Sequence, residues 1–139
     1  MMGRRRKARE LALQLLYQLD VQGEEHPGPH LDDFWLRHPV DREAREFAES
    51  LVRGTKLHEA EIDELISRYA ENWELDRMAV VDRNILRQAI FELRWGTSVP
   101  PKVAINEALE VAKKFSTHES SRFINGILDR IHKEQAPAS

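Results

Sequence analysis

The chain has 139 residues, of which 41% are hydrophobic and 32% are charged, and its formal net charge is −3. This length suits one globular domain with a real hydrophobic core, and no apolar run reaches the roughly 18 residues that a transmembrane helix needs. Polar Glu10, Gln14 and Gln18 interrupt the apolar stretch that a signal peptide requires. The absence of cysteine excludes disulfides and thiolate chemistry and agrees with a cytoplasmic location.

Charge is unevenly distributed along the chain. Residues 1–9, the N-terminal arm, contain five basic side chains and no acidic one, so the remainder has a net charge of −8. The five are Arg4, Arg5, Arg6, Lys7 and Arg9. A basic arm on an acidic body predicts a localised contact with a polyanion, the alternative being a tail that only aids solubility. Acids of the body, such as Glu107 and Glu110 on one predicted helix surface, are expected to be solvated.

Apolar residues recur at helical spacing through the first half of the chain. The helices predicted there span residues 4–20, 31–37, 41–56 and 58–71. Because the first of them includes the basic residues, we expect a helix to present the arm. Glycines and prolines predict a loop over 22–30, and Asp41 is suited to cap the third helix, which ends near Lys56.

The second half of the chain predicts three further helices. The first spans residues 79–95. The second has Pro100-Pro101 in its first turn, and the third follows Ser116. Asp76 is suited to cap the first of these helices, and Gly96 ends it. Ser116 with Glu119 three residues later has the pattern of a capping box for the last one.

No strand, internal repeat or low-complexity tract is evident in the sequence. It therefore predicts one all-α domain of about seven helices over residues 1–139, with a frayed tail at 135–139. Gly126, a poor helix former inside the last helix, predicts close packing against another helix. Core or hinge positions are expected for the three tryptophans, Trp35, Trp73 and Trp95.

The patterns that indicate catalysis are missing from this sequence. No glycine-rich loop precedes a helix in the manner of a phosphate site. His26 and His30 lie in a loop without an HExxH pattern, which favours a surface loop over a metal site. Ser120 and Ser121 are too close to His118 along one helix to face it as in a catalytic triad. We therefore predict no catalytic residue, no metal and no cofactor, and a protein that is not an enzyme.

A second group of basic residues lies around the turn between the last two predicted helices. It comprises Lys113, Lys114 and Arg122, with Phe115, Phe123 and Asn125 close by. Basic side chains neutralise phosphates, and an exposed ring can stack on an unpaired base. Phe115 lies on the apolar stripe of its helix and is expected in the core, whereas Phe123 suits either the core or the surface. The whole pattern favours single-stranded RNA as a ligand.

Several motifs resemble those of the NusB family of bacterial transcription antitermination factors, over nearly the whole chain. They are Arg5-Arg6-Lys7-Ala8-Arg9-Glu10 with Gln14-Leu15-Leu16-Tyr17, Asp76-Arg77 with Val81-Asp82-Arg83-Asn84-Ile85-Leu86-Arg87, Pro100-Pro101-Lys102-Val103-Ala104-Ile105-Asn106-Glu107-Ala108, and Phe123-Ile124-Asn125-Gly126-Ile127-Leu128-Asp129. The chain departs from the family at Ser116-Thr117-His118, where a glycine often follows the Lys-Phe pair. It also departs at Ser121-Arg122, where Pro-Lys is common and the charge is kept.

This resemblance implies two small helical bundles packed together. It also implies a pairing with the ribosomal protein NusE, binding of the pair to the boxA element of ribosomal RNA leaders, and a place in the RNA polymerase antitermination complex. By position, it assigns RNA contacts to Arg5, Arg6, Arg9, Arg122 and Phe123. It assigns contacts with the protein partner to Tyr17, Asp82 and Glu119. Some members of the family form homodimers through the surface that otherwise takes RNA.

Three other classes of protein are alternatives to a NusB-like factor. The N-terminal part of some rRNA cytosine methyltransferases has the same fold, but that enzyme needs a cysteine and a downstream catalytic domain, which this chain lacks. A DNA-binding regulator needs several base-reading side chains on one helix, whereas Arg83, Arg87 and Arg94 are isolated on a core-directed one. A pure protein-interaction module leaves the basic arm unexplained. The predicted RNA-binding set is Arg4, Arg5, Arg6, Lys7, Arg9, Lys113, Lys114, Arg122 and Phe123.

Overall fold

The computed structural model describes residues 3–71, 73–96 and 99–134. Within these residues the chain forms seven α-helices, one short 3₁₀ helix and no strand, which confirms the predicted all-α class. The helices are α1 (Arg4–Gln22), α2 (Gly28–Arg37), α3 (Arg42–Leu57), α4 (Glu59–Tyr69), α5 (Val80–Trp95), α6 (Pro101–Phe115) and α7 (His118–Glu134), with the 3₁₀ helix at Leu75–Arg77. The tail predicted to fray, 135–139, lies outside the described residues.

Two hydrophobic clusters fill the interior, and α1 contributes to both. The first cluster combines Leu11 and Leu15 of α1 with residues of α2 and α3, such as Phe34 and Leu51. The second is formed by α4, α5, α6 and α7, and Leu13 of α1 enters it from the opposite side. Because both faces of α1 are covered, its residues 8–13 are all buried, as expected for a helix at the centre of a bundle.

The two clusters meet where α3 crosses α5. A Cβ atom at Gly54 would lie 2.1 Å from Cζ of Phe91, so only glycine allows this approach. The ring of Phe91 packs against both clusters. The ring of Phe91 therefore packs directly against the backbone of α3 at Gly54 and connects the two clusters.

Several predicted helix ends are confirmed. Asp41 caps α3 by accepting a hydrogen bond of 2.8 Å from the backbone N–H of Ala44. Gly96 ends α5, where a Cβ atom would lie 2.6 Å from the carbonyl oxygen of Glu92. Pro101 occupies the first turn of α6, where its missing N–H leaves no hydrogen bond unmade.

Three predicted boundaries are wrong. Asp76 lies inside the 3₁₀ helix and caps nothing, because α5 begins after Ala79 without a side-chain cap. The loop predicted over 22–30 is shorter, since α1 extends to Gln22 and α2 begins at Gly28, with a proline in its first turn. At α7, Thr117 rather than Ser116 accepts the hydrogen bond from the N–H of Ser120, at 3.0 Å.

Candidate nucleic-acid interface

The N-terminal arm is the start of α1, so a helix presents its basic side chains as predicted. Arg4, the first residue of that helix, is more than half exposed and pairs with Asp41 at 2.9 Å and Glu43 at 2.7 Å. Because both carboxylates are themselves exposed, these pairs are weak and open to competition by other anions.

Arg6 and Arg9 turn inward and have internal partners. Arg6 donates two hydrogen bonds to Glu107, at 3.0 and 2.8 Å, and these lower the pKa of that carboxyl below its ordinary value. Glu107 is therefore not the solvated acid that the sequence predicts. The side chain of Arg9 is 4% exposed and donates two hydrogen bonds to Glu92, at 2.9 and 2.8 Å. The sequence groups Arg9 with exposed cations, but the structure buries it, because a carboxylate on α5 matches its guanidinium.

Arg5 and Lys7 lie on the exposed side of α1. The guanidinium of Arg5 lies 4.7 Å from the centre of the Phe47 ring, a cation–π arrangement that leaves its N–H groups free for an anion. Neither residue makes an ion pair with any residue of 3–71, 73–96 or 99–134. The arm thus presents two cations that are not paired with a carboxylate of the described residues.

The second basic group lies at the C-terminal end of α6 and the start of α7. Lys113 pairs with Glu110 at 3.2 Å, and Lys114 pairs with the buried Glu10 at 2.9 Å. Arg122 is exposed and has no ion pair within the described part of the chain. The three cations therefore differ in how far internal carboxylates neutralise them.

Phe123 and Trp73 form an aromatic ridge on the surface. Their rings meet edge to face, with centroids 5.9 Å apart. Phe123 packs against the second hydrophobic cluster but is only partly buried. Its position therefore combines the two predicted placements, the core and the surface. Trp73 is 55% exposed and lies in the segment that connects α4 to the 3₁₀ helix. Of the two positions predicted for it, core or hinge, the structure therefore excludes the core and agrees with the hinge.

The aromatic ridge separates two grooves of opposite charge. The acidic groove, of about 430 Å³, contains Asp82, Glu119 and one base, Arg77. The basic groove, of about 350 Å³, contains Arg122, Arg130 and one acid, Glu71. Phosphate groups therefore favour the basic groove, and cationic partners favour the acidic one.

Gly126 lies in the basic groove rather than at a helix contact. A Cβ atom placed there would meet no atom within 4 Å. The predicted close packing at this glycine is therefore wrong, because its side of α7 faces the open groove instead of a neighbouring helix.

The residues expected to meet the protein partner occupy different environments. Tyr17 is 45% exposed on α1, and Glu119 is exposed in the first turn of α7. Asp82 is buried, and its two oxygens accept hydrogen bonds from the hydroxyls of Ser116 at 2.5 Å and Ser120 at 2.8 Å. Asp82 thus ties the start of α5 to the turn that carries Glu119.

A buried ionic network that the sequence analysis missed holds the other end of α1. Asp20 accepts two hydrogen bonds of 2.7 Å from Arg83, one from Asn84 at 2.8 Å and one from Arg87 at 3.0 Å. Burial acts to raise the pKa of Asp20, but the hydrogen bonds from Arg83 and Asn84 outweigh it and lower that pKa. Arg87 also binds Asp63 of α4 in a bidentate manner. The only signal in the sequence was the i, i+4 spacing of the two arginines.

The described residues contain neither a metal-ion cluster nor a membrane-spanning helix. No group of three or more His, Cys, Asp or Glu side chains is placed to hold a metal ion there. None of the helices in these residues is both long enough and apolar enough to cross a bilayer.

Residues 6–133 match the model of the NusB family. The chain belongs to the NusB family. It is 50% identical over 143 residues to the transcription antitermination protein NusB of Anaeromyxobacter dehalogenans, covering 99% of this chain and 96% of that protein. Its identity to the NusB protein of Myxococcus xanthus is 47% over 134 residues, covering 94% of this chain and 95% of the relative.

Solved structures of NusB proteins share the fold. T. maritima NusB superposes with a TM-score of 0.87 at 43% identity, covering 99% of this chain and 96% of that one. A crystal structure of the antitermination factors NusB and NusE in complex with double-stranded RNA gives a TM-score of 0.85 at 31% identity, covering 96% and 98%. The two-cluster arrangement described above is thus a NusB fold.

Proposed function

We propose that this NusB-family chain is a cytoplasmic transcription antitermination factor that binds boxA-type leader RNA together with the ribosomal protein NusE, in support of rRNA transcription. The names of its relatives and the solved complex of NusB, NusE and RNA support this reading. The observation that carries it is the half-open ring of Phe123 beside Arg122, which makes no ion pair with any described residue. No catalytic role is proposed.

The two basic groups form one stripe on the surface. Glu110 lies 3.9 Å from Arg6 of the arm and 3.2 Å from Lys113 of α6, so a single carboxylate bridges the two groups. Farther along, the ion pair of Lys114 with Glu10 holds α6 beside α1. A strand of RNA can therefore follow the arm, pass the end of α6 and reach α7.

Exposure divides the predicted RNA-binding set into two kinds of residue. We assign phosphate contacts to the six members that are exposed: Arg4, Arg5, Lys7, Lys113, Lys114 and Arg122. We assign base stacking to Phe123. Arg6 and Arg9 are proposed instead to position the arm, because Glu107 and Glu92 already occupy their guanidinium groups.

The partner surface is proposed to include Tyr17 and Glu119. Tyrosine combines a large apolar area with a hydroxyl, which favours interfaces. Glu119 and the acidic groove match the positive charge that is typical of ribosomal proteins. Asp82 is proposed to act through the turn that it holds, since both of its oxygens already accept hydrogen bonds.

Titration of the chain with boxA RNA at several salt concentrations tests the RNA-binding proposal. Up to six phosphate contacts, one for each of the exposed cations, predict a slope as steep as about −4 in log affinity against log salt for a single strand. The solved NusB–NusE complex with double-stranded RNA makes duplex RNA a second candidate. Tighter binding of a duplex than of a single strand of the same sequence, with NusE present, would overturn the single-strand proposal. Failure to bind either RNA would overturn RNA binding altogether.

A further inference from the structure

We propose that the basic groove is a second nucleotide subsite, in which Trp73 stacks on a base of single-stranded RNA that adjoins the nucleotide on Phe123. This inference rests on the proposed RNA-binding function. It adds Trp73, Gly126 and Arg130 to the part of the proposed RNA surface at α7, for which the sequence predicts only Arg122 and Phe123.

The exposure of Trp73 is the first observation. More than half of this large side chain is open to solvent, and only an edge contact joins it to Phe123. Stacking on aromatic rings is the main way in which proteins hold unpaired bases. Two open rings 5.9 Å apart, inclined at 64°, suit two bases that are splayed rather than stacked on each other.

The cations of the groove are the second observation. Arg122 extends from α7 without a carboxylate partner in the described structure. Arg130, two turns farther on, bonds Glu71 at 2.9 Å, pairs with Glu134 at 3.7 Å and lies 5.2 Å from the centre of the Tyr69 ring. Because Arg130 is held on the wall of the groove at 43% exposure, its charge has a defined position for a phosphate.

The bare backbone at Gly126 is the third observation. Glycine is a poor helix former, and here no neighbouring atom requires it, because a Cβ atom would meet nothing within 4 Å. Gly126 lies on α7 between Arg122 and Arg130 in sequence, and it lines the same groove as both. A flat group such as a nucleobase can lie directly against the helix there, and any side chain at this position would occupy the same space.

The charge of the groove selects RNA over a peptide. The two arginines outnumber the single acid, Glu71, whereas the acidic groove across the ridge has the opposite balance. Because Phe123 and Trp73 border both grooves, the basic groove is also continuous with the proposed RNA surface. One strand can therefore enter it without leaving the protein.

The test compares three single-stranded RNAs: a core boxA RNA, and the same RNA extended by three nucleotides at its 5′ end or at its 3′ end. Wild-type protein should bind one of the extended RNAs about tenfold more tightly than the core. Trp73→Ala should remove this gain and leave affinity for the core RNA unchanged, whereas Trp73→Phe should retain most of it, since a smaller ring can still stack.

Gly126→Ala provides a variant that does not threaten the fold. Because alanine favours helices, its melting temperature should match or exceed that of wild type, while the gain from the extension falls. Gly28→Ala is the matched control, since its Cβ atom also meets nothing within 4 Å but lies on α2. That control should bind both RNAs like wild type.

The outcomes separate this inference from the function on which it rests. If wild type binds the core RNA but gains nothing from either extension, the subsite is wrong and the proposed function stands. Equal losses on both RNAs in Trp73→Ala would show that Trp73 only supports Phe123, and they would also overturn the subsite. A Trp73→Ala protein that binds the RNAs like wild type but no longer binds NusE would also overturn the subsite. Binding of no RNA by wild type would overturn the proposed function itself.

Discussion

The N-terminal arm and the start of α7 are both basic, but they use their charges in different ways. In the arm, Glu92 binds Arg9 in the interior, and Glu107 binds the partly exposed Arg6. On α7, Arg122 is exposed and pairs with no described carboxylate. A basic cluster in a sequence shows only how many cations lie close together. Whether those cations are available to RNA depends on the acidic side chains that other helices bring next to them.

The largest expected effect is on stability, at Arg9. Arg9→Met leaves the carboxylate of Glu92 buried without a partner, which costs about 3–5 kcal/mol of the free energy of unfolding. Denaturant unfolding monitored by circular dichroism measures the loss. Arg5→Met, on the exposed side of the same helix, is the matched control and should change stability by less than about 0.5 kcal/mol.

A second variant checks the cause of that loss. Arg9→Met combined with Glu92→Leu removes both charges, so it should recover most of the lost stability. If the double variant is as unstable as Arg9→Met alone, the pairing with Glu92 is not what holds Arg9 in place. If Arg9→Met is as stable as wild type, the contrast between the two basic regions fails.

The next effect is on RNA affinity, at Phe123. Because base stacking on an aromatic ring contributes about 1–3 kcal/mol, Phe123→Ala should weaken binding roughly tenfold with little change in the salt dependence. Phe123→Leu keeps an apolar side chain against the core, so it separates stacking from packing. Thermal melts of both variants provide the control. Wild-type affinity in a folded Phe123→Leu protein would assign the ring to the core alone.

A smaller effect is expected on the salt dependence of RNA binding. Arg5→Ala with Lys7→Ala should make the slope shallower by about 1.4, since each phosphate contact with a single strand contributes about 0.7. Arg53→Ala with Arg68→Ala removes two exposed arginines from α3 and α4 and should leave the slope unchanged. Equal changes in both double variants would mean that overall charge, and not the arm, governs binding.

The smallest effect concerns acid stability. Hydrogen bonds from Arg6 lower the pKa of Glu107 from its ordinary value of 4.5. Its contribution to stability is therefore complete above that value and is lost as the pH falls through the lower pKa of the folded state. Urea unfolding between pH 7 and pH 3 should show a shallower acid decline in Glu107→Gln than in wild type. Identical declines would contradict the pairing with Arg6.

The elements with local causes were predictable from the sequence. The apolar period of α1, the cap at Asp41 and the prolines before α6 depend on neighbours within a few residues, and each is confirmed. The tertiary consequences were not predictable. Burial of Arg9 depends on Glu92, 83 positions away, and no pattern within α1 reveals it. Gly126 was predicted to pack against another helix because glycine is a poor helix former. The sequence does not show which part of the molecule faces this residue.

The candidate site was predictable only as a set of residue types. Arg122 and Phe123 were predicted to share one site because they are adjacent in the sequence. Trp73 was missed, since its exposure and its edge contact with Phe123, 50 positions away, depend on the tertiary fold. The resemblance assigns Asp82 to the partner interface, and the sequence gives no sign of the two serines, 34 and 38 positions away, that donate hydrogen bonds to its oxygens.

Photochemical crosslinking of boxA RNA to the protein in the presence of NusE tests the central claim most directly. Mass spectrometry of the crosslinked peptides identifies which side chains lie against the RNA. We expect crosslinks at Phe123 and in the peptide that contains Arg5 and Lys7, in wild type and equally in Arg53→Ala. Crosslinks confined to α2 and α3, with Phe123 unmodified, would contradict it.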